Sequence, residues 1–193
     1  MPELPEVETT VRGLQKTIKG LVIKDAWTDL ATEDKRQNGN VANVKYFKTF
    51  RKIVLGKKVL SVERRAKNIL INLSPTSSFR HSSSGKRRKT ILIHMKMTGH
   101  LLYGKYKQDP ANRFIHFTIT FNNKEKLSFS DMRKFGKITL LDTKNAHNTK
   151  HLNNIGPEPL DKSFTLEKFK ECLKKKPSGK VKIVLMDQSI LAG

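Results

Sequence analysis

Phe114-Ile115-His116-Phe117-Thr118-Ile119-Thr120-Phe121 is the stretch whose reading decides the fold class. Phe117, Ile119 and Phe121 alternate with Thr118 and Thr120, the two-residue period of a half-buried antiparallel strand. Asn122-Asn123 supplies a turn into Leu127 and Phe129, so the segment reads as a hairpin. Outward from it lie more short β-prone runs: Val59–Arg65, Asn68–Leu73, Thr90–Met95, His100–Tyr106, Lys126–Ser130 and Lys137–Leu141, with Leu21–Trp27 further upstream. So many short strands at close spacing predict an antiparallel β-sandwich or barrel.

The flanks read differently. Val7, Val11, Leu14 and Ile18 recur at helical spacing and Gly20 supplies a stop, so a helix precedes the strands. Residues 31–50 read as polar and irregular, with a turn at Asn38-Gly39-Asn40. Residues 74–89 (SPTSSFRHSSSGKRRK) read as a Ser-rich basic loop, mobile between two strands. Asp142–Leu160 shows little apolar period and ends in Gly156-Pro157-Glu158-Pro159-Leu160. Leu166, Phe169 and Leu173 are then spaced for a helix, and Val181–Met186 opens a further element. The expectation is an α+β chain: a sandwich domain over residues 1–145, a linker over 146–162, and the start of a helical domain over 163–193.

A chain of 193 residues with 36% hydrophobic content can bury a real core. Its 39 Lys and Arg against 17 Asp and Glu give a formal charge of +22, which points to a polyanion, most simply nucleic acid. An anionic membrane is the competing reading, but no run approaches the roughly 20 apolar residues of a span. Nor does the acidic N-terminus resemble a signal peptide. Cys172 stands alone, so no disulfide framework or cysteine cluster for zinc is expected, and a reducing, cytoplasmic compartment fits.

Met1-Pro2-Glu3-Leu4-Pro5-Glu6-Val7-Glu8 packs three carboxylates and two prolines into the start of this basic chain. Pro2 is small enough to permit removal of Met1, which would expose a secondary amine. A terminal amine titrates near about 7.7–8.0 against roughly 10.4 for lysine, so part of it is uncharged at neutral pH. Such an amine can attack an electrophilic carbon and form an iminium, while the adjacent Glu3 shuttles the proton that the leaving group needs. The same residues also suit a plain helix start: proline fits the first turn, and acids complement the positive end of the dipole.

Six motifs bring in a resemblance. Met1–Glu8 (MPELPEVE), Arg64–Lys67 (RRAK), His94–Gly99 (HMKMTG), Asp131–Gly136 (DMRKFG), Ile155–Leu160 (IGPEPL) and Leu185–Gln188 (LMDQ) occur in the order and near the spacings of the formamidopyrimidine-DNA glycosylases of the Fpg/Nei type. The chain resembles that family over nearly its whole length. The resemblance implies a bifunctional base-excision repair enzyme that removes oxidised purines from duplex DNA and then cuts the backbone by β- and δ-elimination. It also implies a bacterial, nucleoid-associated monomer, acting on DNA with oxidised purines or abasic sites.

By position Pro2 resembles the family's Schiff-base nucleophile and Glu3 its assisting acid. Lys67 resembles a proton donor in β-elimination that also lies near the lesion phosphate. Flipping a nucleotide leaves a gap, and Met97, Arg133 and Phe135 match the family residues that fill it. Arg133 and Phe135, with Leu4, favour the oxidised-purine branch over the endonuclease VIII-like branch. Read without the family, Met97 and Phe135 would be core residues and Lys67 a solvated charge. Lys182 and, less closely in spacing, Lys176 match phosphate-contacting lysines.

The sequence departs from the family in three places. His116 matches the second residue of an H-x-H pair whose first is DNA-contacting, but Phe114 occupies that first position; neighbouring Arg113 is the substitute candidate. The 74–89 loop is longer than its usual counterpart. After LMDQSILAG the family continues through a GNIY-like segment and a four-cysteine zinc finger, so the chain resembles the N-terminal two-thirds of a longer enzyme. No cofactor is expected within it; a structural zinc is implied only for that further part. A non-catalytic nucleic-acid-binding protein built on the same sandwich is the alternative function class.

Overall fold

The computed structural model describes residues 2–34, 37, 39–75, 88–104, 108–149 and 152–193. It opens with helix α1 (Leu4–Thr17). A proline, three threonines, two valines and a glycine make that segment a poor intrinsic helix. It is driven instead by burial of Val7, Val11 and Leu14, with Ile18 just beyond its end; each exposes 4% or less of its surface. Burying such a side chain is worth about 1.5–3 kcal/mol. The amide of Gln15 pins the helix to the carbonyl of Val62 at 2.9 Å.

Eight strands follow: β1 (Ile23–Thr28), β2 (Val59–Arg65), β3 (Asn68–Leu73), β4 (Lys89–His94), β5 (Gly99–Tyr103), β6 (Ile115–Phe121), β7 (Lys126–Asp131) and β8 (Lys137–Asp142). They form two antiparallel four-stranded sheets, ordered β1-β6-β7-β5 and β2-β3-β4-β8. The sandwich expected from the alternation is therefore the observed fold. Phe117, Ile119, Leu127 and Phe129 point into the shared core, where the Phe117 ring meets Phe50 edge-on at 5.8 Å.

Boundaries shift for physical reasons. Phe114 does not begin β6; Pro110–Phe114 is a 3-10 turn capped by the Asp109 side chain. The hairpin between β6 and β7 turns through four residues, with Phe121 donating to the Glu125 carbonyl. Its left-handed position (φ +69°) is Lys124 rather than either asparagine. The Asn38 end of the 38–40 turn lies outside the described residues, as do 76–87 of the Ser-rich loop and 105–106 of the expected strand to Tyr106.

One expectation is overturned. Residues 31–50 are not uniformly irregular, because α2 (Val44–Val54) lies across their end. Asn43 caps it by accepting from the Tyr46 amide at 3.0 Å, and Phe50 and Val54 are buried. Four interleaved cations hide the apolar face when only composition is read.

The segment before the last helices is tied down. Leu152 is buried against Leu70 and Leu92, which explains why β3 and β4 carry almost unbroken apolar runs instead of alternation. Gly156 donates to the Gln188 carbonyl and Ala192 to that of Pro157. Helices α3 (Leu166–Lys174) and α4 (Val181–Met186) pack through Phe169, Cys172 and Val184 against Ile190 and Leu191.

Candidate active site

At the N-terminus, the capping box fixes the backbone: the Glu3 amide donates to the Glu6 carboxylate at 3.0 Å. That leaves the Glu3 carboxylate ion-paired with the ammonium of Lys67. Pro2 is half-buried beside it. The helix-start and catalytic readings of these residues are thus compatible, since Glu3 and Glu6 form a reciprocal capping box while a Glu3 carboxylate oxygen also pairs with Lys67.

Lys67 sits in the two-residue turn between β2 and β3 and exposes only 7% of its surface, which rules out a solvated lysine. Ala66 before it is left-handed at φ +50°, an unfavourable conformation for a residue with a Cβ. Three bonds stabilise the turn. Glu158 accepts from the Ala66 amide at 2.6 Å, Arg64 donates to the Ala66 carbonyl at 3.1 Å, and Asn68 donates to the Arg65 carbonyl at 3.2 Å.

Those contacts belong to a wider hub. Arg64, with a side chain 7% exposed, donates to Glu8 of α1 at 2.7 Å. Its other arm lies 2.6 Å from Glu158, close enough for an ion pair though off the alignment of a hydrogen bond. Arg65 reaches Glu158 at 3.1 Å and the Ile155 carbonyl at 2.7 Å. The hydrogen bond from Arg64, above all, holds the Glu8 carboxyl below its ordinary range. Helix α1, the Lys67 turn and the Ile155–Glu158 segment therefore share one set of charges. Sequence reading noticed RRAK and IGPEPL as motifs but missed this function; opposite charges in two short motifs were the available signal.

The second cluster joins HMKMTG to DMRKFG. Asp131, wholly buried at the end of β7, accepts from the Thr98 hydroxyl, the Arg133 amide at 3.3 Å and the Gly136 amide at 2.7 Å. A Cβ on Gly99 would collide with the Met95 carbonyl oxygen and lie 2.7 Å from the Phe129 ring, and one on Gly136 would run into that same ring, so Gly99 lets its own turn close on Met95 and both motif glycines leave room for Phe129. Above this base Arg133 donates to the Met97 sulfur at 3.1 Å and stacks over Phe135 at 4.7 Å. Met97 is 45% and Phe135 49% exposed, so neither is a core residue. The structure thus brings Met97, Arg133 and Phe135 into one protruding group. Asp131, which organises them, was not singled out from sequence.

The remaining candidates are less convergent. Arg113 is exposed and lies 4.9 Å over the Phe114 ring, on a 3-10 turn tied to β7 by the bond from Ser130 to the Ala111 carbonyl. His116 is buried and turned onto the Asp29 carboxylate at 3.0 Å. Lys176 is bound to Asp187 at 2.5 Å, and that bond more than any other holds the Asp187 carboxyl well below the usual range. Lys182 is exposed on α4. Among the described residues no three His, Cys, Asp or Glu side chains converge on a metal position, and no helix is long and apolar enough to cross a membrane.

Residues 1–138 match the model of the formamidopyrimidine-DNA glycosylase N-terminal domain. The whole chain aligns with formamidopyrimidine-DNA glycosylases of Pelotomaculum thermopropionicum at 36% identity and Desulforamulus reducens at 33%, spanning 62% of each. It also superposes on the Lactococcus lactis Fpg solved with abasic-site DNA, at 27% identity and a TM-score of 0.75, covering all of this chain and 62% of that one. A MutM solved with DNA containing carbocyclic 8-oxo-G gives 28% identity and 0.74, with 64% of that chain covered. The sandwich, the Pro2–Glu3–Lys67 corner and the joined glycine loops are therefore features of a chain that belongs to the formamidopyrimidine-DNA glycosylase family.

Proposed function

We propose that this chain carries the catalytic half of a DNA glycosylase and AP lyase acting on oxidised purines in duplex DNA. The observation that carries the reading is the ion pair of Lys67 with Glu3, the chain neighbour of Pro2, brought together from two distant parts of the chain. With Met1 removed, the Pro2 nitrogen attacks C1′ of the damaged nucleotide and the bond to the base breaks. Glu3 takes up the proton that the Pro2 nitrogen sheds on forming the new bond and passes it on for base loss and sugar-ring opening. The resulting iminium makes the C2′ proton acidic; its loss expels the 3′-phosphate, and a second elimination expels the 5′-phosphate.

In this scheme Lys67 supplies a proton to a departing group and, between steps, keeps Glu3 oriented. Met97 and Phe135 fill the space left by the flipped nucleotide, while Arg133 releases Met97 and donates to the partner base. Lys182, Arg113 and, after parting from Asp187, Lys176 supply phosphate contacts, which add affinity without sequence preference. The protein acts as a bacterial cytoplasmic monomer on chromosomal DNA. The relatives' solved complexes with abasic and lesion-bearing DNA support the choice of partner.

Borohydride trapping tests the proposal, because it reduces an iminium to a stable amine. A covalent band is expected on duplexes carrying 8-oxoguanine opposite cytosine and on abasic duplexes, lost in Pro2→Gly. Glu3→Gln is expected to lose base excision while retaining DNA binding. No band on either duplex, from folded protein shown by mass spectrometry to lack Met1, would mean that the chain binds DNA without catalysis.

A further inference from the structure

A cavity of about 360 Å³ opens beside the protruding group, lined by Met97 and Phe135 together with Lys96, Lys134, Lys137, Gln37 and Asn40. None of the three lysines has a role in the chemistry above. Lys67, Lys89 and Lys176 each pair with a carboxylate. Lys96, Lys134 and Lys137 pair with none among the described residues, although all three converge on one cavity. Three such lysines lining one opening give it local positive charge, which favours an anion.

The backbone makes the same point. Lys96 and Lys134 are left-handed, at φ +58° and +55°, where a lysine is strained and a glycine would not be. Each adjoins a gap-filling residue, Lys96 before Met97 and Lys134 between Arg133 and Phe135. Both turns are fixed from below, by the bond from the Lys96 amide to His94 at 3.1 Å and from the Lys134 amide to the Asp131 carbonyl at 3.1 Å. Lys96 and Lys134 are therefore positioned by the loops that present Met97 and Phe135, with Lys137 beside them at the start of β8.

We infer that this cavity holds backbone phosphate of the undamaged DNA strand, next to the base left without its partner. The inference rests on the glycosylase reading for which strand is which. Met97, Arg133 and Phe135 enter the duplex where the damaged nucleotide left it, so Arg133 faces the orphaned base. Groups flanking that arginine on its own loops then face the strand carrying that base. The damaged strand is engaged from the Glu3–Lys67 side instead. Holding the undamaged strand while the other is distorted would stop the duplex from following the flipped nucleotide.

The test is binding of a duplex with a tetrahydrofuran abasic analogue, measured across salt concentration. In the Lys96→Gln/Lys134→Gln/Lys137→Gln chain the slope of log K against log salt is expected to flatten by about one to two, since each lost phosphate contact changes it by about 0.9. Methylphosphonates at the two phosphates flanking the orphaned base are expected to flatten the wild-type slope equally and the triple variant no further. Arginine at the three positions is expected to restore the slope. Additive effects, or non-additivity only with methylphosphonates in the damaged strand, would overturn the inference. So would equal flattening by Gln at exposed Lys45, Lys48 and Lys52 of α2, which removes the same charge elsewhere. Because the readout is binding, absence of borohydride trapping would refute the enzyme reading without touching this result.

Discussion

Replacing Glu158 with alanine removes in one step the ion pair to Arg64 at 2.6 Å, the bond from Arg65 at 3.1 Å and the bond from the Ala66 amide at 2.6 Å. Removing one partner of a buried ion pair typically costs about 3–5 kcal/mol. Two features put this site at the low end. The Glu158 side chain keeps 17% exposure, and Arg64 retains Glu8 at 2.7 Å and the Ala66 carbonyl at 3.1 Å. The expected loss is therefore about 3 kcal/mol, which for a chain of this size lowers the melting temperature by roughly 6–12 °C. Glu158→Gln preserves an acceptor for the Ala66 amide and is expected to lose about half as much. Urea unfolding followed by circular dichroism measures both. In a double-mutant cycle, Glu8→Ala with Glu158→Ala is expected to exceed the sum of the singles, because together they leave the buried Arg64 without a counter-charge. A Glu158→Ala chain within about 0.5 kcal/mol of wild type, or strictly additive singles, would refute the claim that one charge hub holds α1, the Lys67 turn and the Ile155–Glu158 segment together.

Other perturbations separate the parts of the site. Asp131→Ala strands three donors in a wholly buried position and is expected to lower stability by about 2–4 kcal/mol, with lesion duplexes bound more weakly than the change in charge alone predicts. Gly136→Ala drives a methyl to within 2.5 Å of the Phe129 ring and is expected to cost about 1–3 kcal/mol; pairing it with Phe129→Leu should recover part of that loss in the same unfolding assay. Glu8 has its folded pKa lowered by Arg64, so its contribution to stability is complete above the ordinary carboxylate value of 4.5 and is lost as pH falls through the lowered folded value. Glu8→Gln is accordingly expected to destabilise the chain at neutral pH and to flatten the acid limb of its stability curve, which unfolding midpoints from pH 7 down to 3 would show.

Much of this protein is legible from local pattern. Alternation at Phe117–Phe121 and the short β-prone runs identified an antiparallel sandwich, because a strand with one buried face must repeat every two residues. The spacing of Val7, Val11, Leu14 and Ile18 identified α1 for the corresponding reason at the helical period. Motif order pointed to Pro2, Glu3, Lys67, Met97, Arg133 and Phe135 and to the family. What local pattern missed was α2, whose apolar face is interleaved with lysines and an arginine; it did place β3 and β4, but not the Leu152 that covers their outer face.

Tertiary structure alone decided how the motifs act together. Glu158 stabilises the left-handed Ala66 from the far side of the chain, and Asp131 gathers the Thr98 hydroxyl with two backbone amides from another loop. Phe129 lies against the glycines of both motifs, and Gly99 must in addition clear the Met95 carbonyl of its own turn. Whether Lys176 is available for phosphate depends on Asp187, which stands close to it only once the intervening chain has turned back. Period and propensity are properties of neighbours along the chain, so sequence determines them. Charge pairing, burial of a carboxylate and the closeness of two loops depend on distances that exist only after folding.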